Sequence, residues 1–361
     1  MRVALVHDWL NQYGGAERVL EVLHELFPTA PVYTSMFERR AMPASYSKWD
    51  IRTSFLQRVP FARRHHQAFL PLYPIAFEQL DLSGYDLVIS NKSGFCHGVI
   101  TEPQARHLCY CLTPTRFLWL YHSYARRERL GRPARLTLPP VLNYLRIWDF
   151  AAAGRVDRFV AISRAVAARV QKFYRRDSTV LHPPVDCSHY RPSSSVDDYY
   201  LVVSRLIPYK RIDLAVAAFT ELGLPLKIVG DGRDLAALRR TAGPNVEFLG
   251  RRPDDEVRDL YARCRAFVFP GEEDFGLTPV EAMASGRPVI AYGAGGALDT
   301  VIEGETGTFF REPTLESLSA AVRAFDPGSC DPDRIRRHAE TFDVRPFKER
   351  FRSLVASLIS E

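Results

Sequence analysis

No apolar run in the chain approaches the roughly 20 residues that a membrane-spanning helix requires, so a helical integral membrane protein is excluded. The opening residues, Met1-Arg2-Val3-Ala4-Leu5-Val6-His7-Asp8, lack the apolar core of a secretory signal and read as a first strand. The six cysteines, at 96, 109, 111, 187, 264 and 330, form no CxxC pair and show no disulfide-like spacing. That argues against a disulfide scaffold and a thiolate zinc site, and for a reducing, cytoplasmic setting. Cys109 and Cys111 would share one side of a strand as small buried hydrophobes. No set of His, Cys, Asp and Glu has metal-ligand spacing, and no metal is expected. Gly293-Ala294-Gly295-Gly296-Ala297-Leu298 approaches a dinucleotide fingerprint but has Leu298 where the third glycine belongs, which weighs against a nicotinamide or flavin cofactor.

What is present is an ordinary globular composition, 46% hydrophobic and 25% charged, in 361 residues, long enough for two cores. Short apolar strands alternate with amphipathic helices twice over, separated by the polar breaker cluster Pro192-Ser193-Ser194-Ser195. This predicts two doubly wound α/β domains, 1–192 and 193–343, with an amphipathic helix over 344–361. Charge divides unevenly. Residues 1–192 carry 26 Lys+Arg against 15 Asp+Glu, a net of +11, leaving 22 of the 48 basic and 27 of the 42 acidic residues to the remainder, a net of −5. The first half is therefore expected to meet something anionic.

The most informative stretch is Pro270 to Gly286, P-G-E-E-D-F-G-L-T-P-V-E-A-M-A-S-G. It follows the buried-strand signature Ala266-Phe267-Val268-Phe269 and enters a helix near Thr278, with Pro279 suited to the first helical position. Such strand-to-helix turns bind ligands at the carboxyl edge of open parallel sheets, and the N–H groups near Gly276 and Leu277 suit an anion. Glu273 precedes the turn, and Glu281 follows it with seven residues between. Thr278-Pro279-Val280-Glu281 also fits a capping box, so Glu281 is read either as a cap or as a ligand.

These residues resemble the E-x7-E signature of the retaining glycosyltransferases of the GT-B fold, family 4. Gly14-Gly15-Ala16-Glu17-Arg18 and Ser204-Arg205…Lys210-Arg211 extend the likeness over nearly the whole chain. The resemblance implies two Rossmann-like domains facing a cleft, with the last helix crossing back to the first domain. It implies that Arg205 and Lys210 neutralise a donor diphosphate, Glu273 bonds sugar hydroxyls and Glu281 bonds ribose. Gly14 and Gly15 would approach the diphosphate and sugar, the Gly250-Arg251 backbone would line the base pocket, and Phe275, Gly276, Leu277 and Thr278 would complete the donor contacts. Relatives often carry Tyr-Cys-His-Thr-Pro where this chain has Tyr110-Cys111-Leu112-Thr113-Pro114. That departure leaves Lys92, His97 and Arg116 as acceptor-side candidates.

Residues 52–80 mix Arg58, Arg63, Arg64, His65 and His66 with Phe55, Leu56, Phe61, Phe69, Leu70, Leu72, Tyr73 and Phe77, as in a basic, aromatic helix pair that meets a membrane surface or an amphiphilic acceptor. A core helix with a solvated basic face fits equally. The Trp-, Tyr- and Arg-rich segment Phe117 to Trp148 also suits an interface. The expectation is therefore a transferase moving a hexose, mannose from GDP-mannose, onto a lipid-linked or saccharide acceptor. It would use no cofactor and would sit in the cytoplasm, on the inner face of the membrane. A GT-B nucleotide-sugar hydrolase or epimerase is the enzymatic alternative. A nonenzymatic nucleic-acid-binding protein is the other, although no nucleic acid is expected.

Overall fold

In the computed structural model, residues 1–63, 65–121 and 132–361 are described. The chain divides into two units, Met1–His182 with Lys348–Glu361, and Pro183–Phe347. The first unit holds a seven-stranded parallel sheet of β1 (Val3–His7), β2 (Val32–Thr34), β3 (Ile51–Thr53), β4 (Leu87–Lys92), β5 (Arg106–Cys111), β6 (Arg158–Ala161) and β7 (Ser178–Val180), ordered β3-β2-β1-β4-β5-β6-β7. The second holds six: β8 (Tyr200–Val203), β9 (Leu226–Val229), β10 (Val246–Gly250), β11 (Ala266–Phe269), β12 (Val289–Tyr292) and β13 (Gly307–Phe310), ordered β10-β9-β8-β11-β12-β13. Inner strands such as β1, β4 and β11 are buried throughout because a parallel sheet is covered on both faces by its crossover helices, whereas β3, β7 and β10 at the sheet edges are partly exposed.

Strand order locates the places where a ligand can enter. In the first sheet it reverses between β1 and β4, whose pairing runs from Val3↔Leu87 to His7↔Asn91. In the second it reverses between β8 and β11, paired at Tyr200↔Ala266 and Leu201↔Phe267. At such switch points the loops leaving adjacent strands diverge to opposite faces and open a crevice. The loops after β8 and β11 carry Arg205, Lys210 and Glu273. Those after β1 and β4 carry Gly14, Gly15 and His97.

The division between units falls ten residues before the polar cluster at Pro192. The Val185 N–H donates to the Phe342 carbonyl, the Cys187 N–H to Asp343, and Arg336 to the Tyr190 carbonyl, so the segment after Pro183 folds with the second unit. The final helix, Val344–Ser360, belongs to the first unit from Lys348 onward, where Phe351 packs against Tyr110 and Arg158 donates to the Leu354 carbonyl.

Residues 52–80 differ from the expected helix pair. They form 3-10 turns at Phe55–Arg58 and His66–Leu72, then a short helix, Tyr73–Glu78. Leu56, Tyr73 and Phe77 are buried in the first unit's core, with Phe69, Leu70 and Leu72 packed against it. Only Phe55 and Phe61 of that aromatic set are exposed. Arg64 and most of the interface segment's first half, 122–131, lie outside the described residues. No helix among the described residues is long and apolar enough to cross a membrane.

Candidate active site

Three glycines bring the site's charges together. Strand β11 ends at Phe269, and Gly271 lies directly against the backbone of Lys210. A Cβ at 271 would stand 2.7 Å from the Lys210 carbonyl oxygen. That approach carries Glu273 to the end of the Lys210 side chain, and the two form an ion pair with both side chains largely shielded, 14% and 18% exposed. On the other side, the Gly296 N–H donates to the Glu273 carbonyl at 2.9 Å. A Cβ on Gly295 would meet that carbonyl oxygen at 2.3 Å, and one on Gly296 the Phe275 Cα at 2.2 Å. The glycine turn after β12 is therefore filled by the chain's own loop, and its missing side chains serve to clamp Glu273. Tyr209 completes the cluster: its hydroxyl accepts from Arg205 at 3.2 Å, and its ring lies 5.4 Å from the Lys210 ammonium. Arg205 itself is exposed.

The helix after this loop runs Leu277–Ala284, with Gly276 capping it at φ 90°, a conformation glycine adopts without strain. Pro279 is its third residue, not its first, and no side chain caps it. The capping-box reading of Thr278 and Glu281 is thereby corrected. The Glu281 carboxylate, 5% exposed, instead accepts a 2.9 Å bond from the Tyr261 hydroxyl. The first N–H groups of any helix lack intrahelical partners, so Leu277 and Thr278, both half-buried, present the positive end of this one. Phe275, expected among the donor contacts, has a buried side chain. Its ring lies edge-on to Phe342 at 5.8 Å, which leaves only its backbone for binding. Gly250 takes φ 71° at a register shift in β10 with nothing near its Cβ position, and Arg251 projects into solvent 3.9 Å from Asp231.

In the first unit Gly14 caps the helix Gly15–Leu26 from an extended conformation. Behind it lies a buried polar set that the sequence reading missed. His7 Nε2 lies 3.3 Å from Glu17 in that helix's first turn, and Asn91 donates to the Ala16 carbonyl at 2.8 Å. The loop after β4 is closed by Asp8. Its carboxylate accepts from the N–H groups of Ser93, Gly94, Phe95 and Cys96 and from the Ser93 hydroxyl, all at 2.6–3.0 Å. Consecutive N–H groups of this kind form an anion nest, and here a side chain of the same unit occupies it.

Lys92 and His97, expected to face an acceptor, are corrected to framework residues because both are fully buried. Lys92 donates to the Thr113 carbonyl and the Thr115 hydroxyl at 3.2 Å and lies 4.0 Å from Asp149. His97 Nε2 lies 3.2 Å from the Asp149 carbonyl oxygen, and its ring stacks on Tyr174. Asp149 also accepts from Thr115, Trp119 and Tyr174 at 2.7–3.0 Å. Burial, the largest influence, lowers the Lys92 pKa, but Asp149 together with Cys111, Cys109 and Asp8 outweighs it and leaves the ammonium above its ordinary value. Burial and the Lys92 charge hold His97 well below its ordinary value, so its ring is neutral. A lone aspartate in the apolar helix Arg132–Ala153 was the available sequence signal. Arg116 opens the four-residue helix Arg116–Trp119 and is half-buried.

Comparison with known proteins agrees with this arrangement. Residues 13–189 match the family model described as Glycosyltransferase Family 4, and residues 191–340 the one described as Glycosyl transferases group 1. The chain is 36% identical over 209 residues to a GDP-mannose-dependent alpha-mannosyltransferase of Mycolicibacterium smegmatis, an overlap of 56% of this chain and 50% of the relative. It is 27% identical over 171 residues to an uncharacterized glycosyltransferase of Methanocaldococcus jannaschii, covering 46% and 48%. The matches thus span about half the length of these curated relatives. Among solved structures, a sucrose-phosphate synthase from Thermosynechococcus elongatus superimposes with a TM-score of 0.74 at 17% identity over 100% of both chains. HepE of Anabaena, in complex with UDP, gives 0.73 at 17% identity over 99% and 100%. Likeness at such identity speaks for the fold alone. With a Family 4 region followed by a group 1 region on two parallel-sheet units, the chain belongs to the GT-B glycosyltransferases.

Proposed function

We propose that the protein is a retaining hexosyltransferase that moves mannose from GDP-mannose to a lipid-linked or oligosaccharide acceptor. The observation that carries this reading is the Lys210–Glu273 pair at the switch point of the second sheet, with Arg205 linked to it through Tyr209 and the start of the helix Leu277–Ala284 four residues beyond. A cation, a carboxylate and a helix N-terminus suit, in turn, a diphosphate, sugar hydroxyls and a phosphate oxygen. The choice of mannose leans on mycobacterial relatives named as GDP-mannose-dependent mannosyltransferases.

In this proposal Arg205 and Lys210 stabilise the charge that grows on the departing diphosphate, worth about 2–4 kcal/mol for a preorganised donor. Glu273 holds sugar hydroxyls, Glu281 the ribose, and the Gly250-Arg251 backbone the base. Gly276, Leu277 and Thr278 contribute the helix start, while Gly14 and Gly15 allow close backbone approach. The bond from anomeric carbon to phosphate oxygen breaks as the acceptor oxygen bonds that carbon on the same face, and the acceptor proton passes to the departing phosphate. The protein supplies position and electrostatics. The cations and helix start provide the positive charge, so the proposal includes no metal and no cofactor. Arg116 remains the acceptor-side candidate. The basic, partly apolar surface of the first unit favours cytoplasmic work at an anionic membrane.

A thermal-shift panel of nucleotide sugars and free nucleotides tests the donor. GDP-mannose at a hundred times its dissociation constant should stabilise the fold by about 2.7 kcal/mol. A larger shift with UDP-sugars would overturn the choice of donor, and no shift with any nucleotide would overturn the reading itself.

A further inference from the structure

The helix Asp254–Arg263 is charged along most of its length, and Tyr261 is the one side chain it buries completely. The ring is held on two sides, 6.0 Å from Tyr190 and 5.5 Å from Phe267. Its hydroxyl ends on Oε2 of Glu281, 2.9 Å away, on a different helix and 20 residues further along the chain. A carboxylate so far removed from water needs hydrogen-bond donors, and its terminal torsion is intrinsically broad and must be fixed from outside. Tyrosine suits that task, because a packed ring leaves its hydroxyl little freedom and the phenol donates one bond.

We propose that Tyr261 is a positioning residue for donor recognition: its hydroxyl fixes one oxygen of Glu281 so that the carboxylate is already oriented toward the ribose hydroxyls of a nucleoside diphosphate. The inference rests on the assignment of Glu281 to ribose. A carboxylate has about four acceptor positions over its two oxygens, so the bond to Tyr261 leaves capacity for the sugar. The bond makes the geometry of that capacity independent of solvent. Tyr261 touches no substrate and acts through Glu281, so its loss belongs in donor affinity and not in the chemical step. The hydrophobic pattern of its helix marks Tyr261 as a core residue and hides the polar role of its hydroxyl.

The test is calorimetric titration of GDP and UDP, and of their 2′,3′-dideoxy counterparts, into wild type, Tyr261→Phe, Glu281→Gln and the double variant. Tyr261→Phe should lose about fivefold in affinity for the better ribonucleotide, the scale of one hydrogen bond, and nothing for its dideoxy form. It should raise the donor KM by a similar factor and leave kcat within about twofold, as expected when binding is lost equally from ground and transition states. In the Glu281→Gln background, Tyr261→Phe should cost nothing further. That comparison also serves if the single variant does not fold, since the double variant leaves no buried carboxylate without its donor. Wild-type affinity in Tyr261→Phe, equal losses for ribo and dideoxy forms, or an added loss in the double variant would each overturn the proposal. Retained ribose discrimination in Glu281→Gln would overturn the ribose assignment and the proposal with it. Its loss in Glu281→Gln alone, with Tyr261→Phe unchanged, would overturn only the proposal.

Discussion

Lys210 and Glu273 hold one another, and what each does when the other is removed separates function from stability. Both side chains, though largely shielded, keep some contact with water, so a charge left without its partner can still be solvated and folding should change little. Lys210→Ala and Arg205→Ala should therefore fold normally and lose about 2–4 kcal/mol of transition-state stabilisation, a fall in kcat/KM of roughly a hundredfold or more. Glu273→Gln should fall comparably, because an amide offers one acceptor oxygen where the carboxylate offers two. Steady-state transfer assays beside thermal melts check this; wild-type turnover in any of the three removes that residue from the site. The resemblance named Arg205, Lys210 and Glu273, and the structure sets all three in loops that leave strands recognisable from their apolar runs. Lys92 and His97 carry the same local signal and proved to be framework. Both lie beside Asp149, more than 50 residues away in sequence, and the lone aspartate in its helix does not reveal which side chains it meets.

Strands and helices were read well where their patterns are long or sharply bounded. The first strand falls on Val3–His7 as expected, and the last helix spans Val344–Ser360 with Phe347, Phe351, Val355 and Leu358 buried. Residues 52–80 were not, because 3-10 turns have no strong hydrophobic period. The glycine turn Gly293–Gly296, which in sequence approaches a dinucleotide fingerprint, is filled by the loop that carries Glu273. Gly296 has φ −71°, so any residue could adopt its backbone conformation and the constraint is steric alone. Gly296→Ala should push the 273–275 loop away, cost about 1–3 kcal/mol as overpacking, and raise the donor KM. Gly293→Ala is the control, since its Cβ would meet nothing nearer than 3.4 Å. Equal melts and equal KM for the two variants would show that the clamp does not hold the site.

The two-unit plan follows from the repeated alternation of strand and helix, while the boundary does not, because the hydrogen bonds that tie Val185 and Cys187 to Phe342 and Asp343 span more than 150 residues. At this scale the uneven charge also finds its place. The excess of basic residues lies in the first 192, and that unit exposes large apolar side chains: Phe55, Phe61 at 75%, and Tyr144, Ile147 at 64% and Phe150 on the helix Arg132–Ala153. The last three are spaced by three residues and so share a face. Asn143 and Ala151, the exposed residues beside them on that face, are uncharged as well. A lone exposed apolar residue means little, but several on one helix face call for a partner. The proposed membrane partner suits both features: apolar side chains would enter the interface while Arg58 and Arg63 would meet anionic headgroups. Each such cation near a membrane surface contributes about 1 kcal/mol, an attraction that falls off within a Debye length. Co-sedimentation with vesicles containing phosphatidylglycerol should therefore weaken between low and high salt. Arg58→Ala/Arg63→Ala should lower it mainly at low salt, and Ile147→Asp/Phe150→Asp at every salt concentration, because burial of apolar area is not screened. Equal recovery on neutral and anionic vesicles would remove the electrostatic part of this docking. Wild-type recovery of Ile147→Asp/Phe150→Asp would show that the helix face does not enter the bilayer.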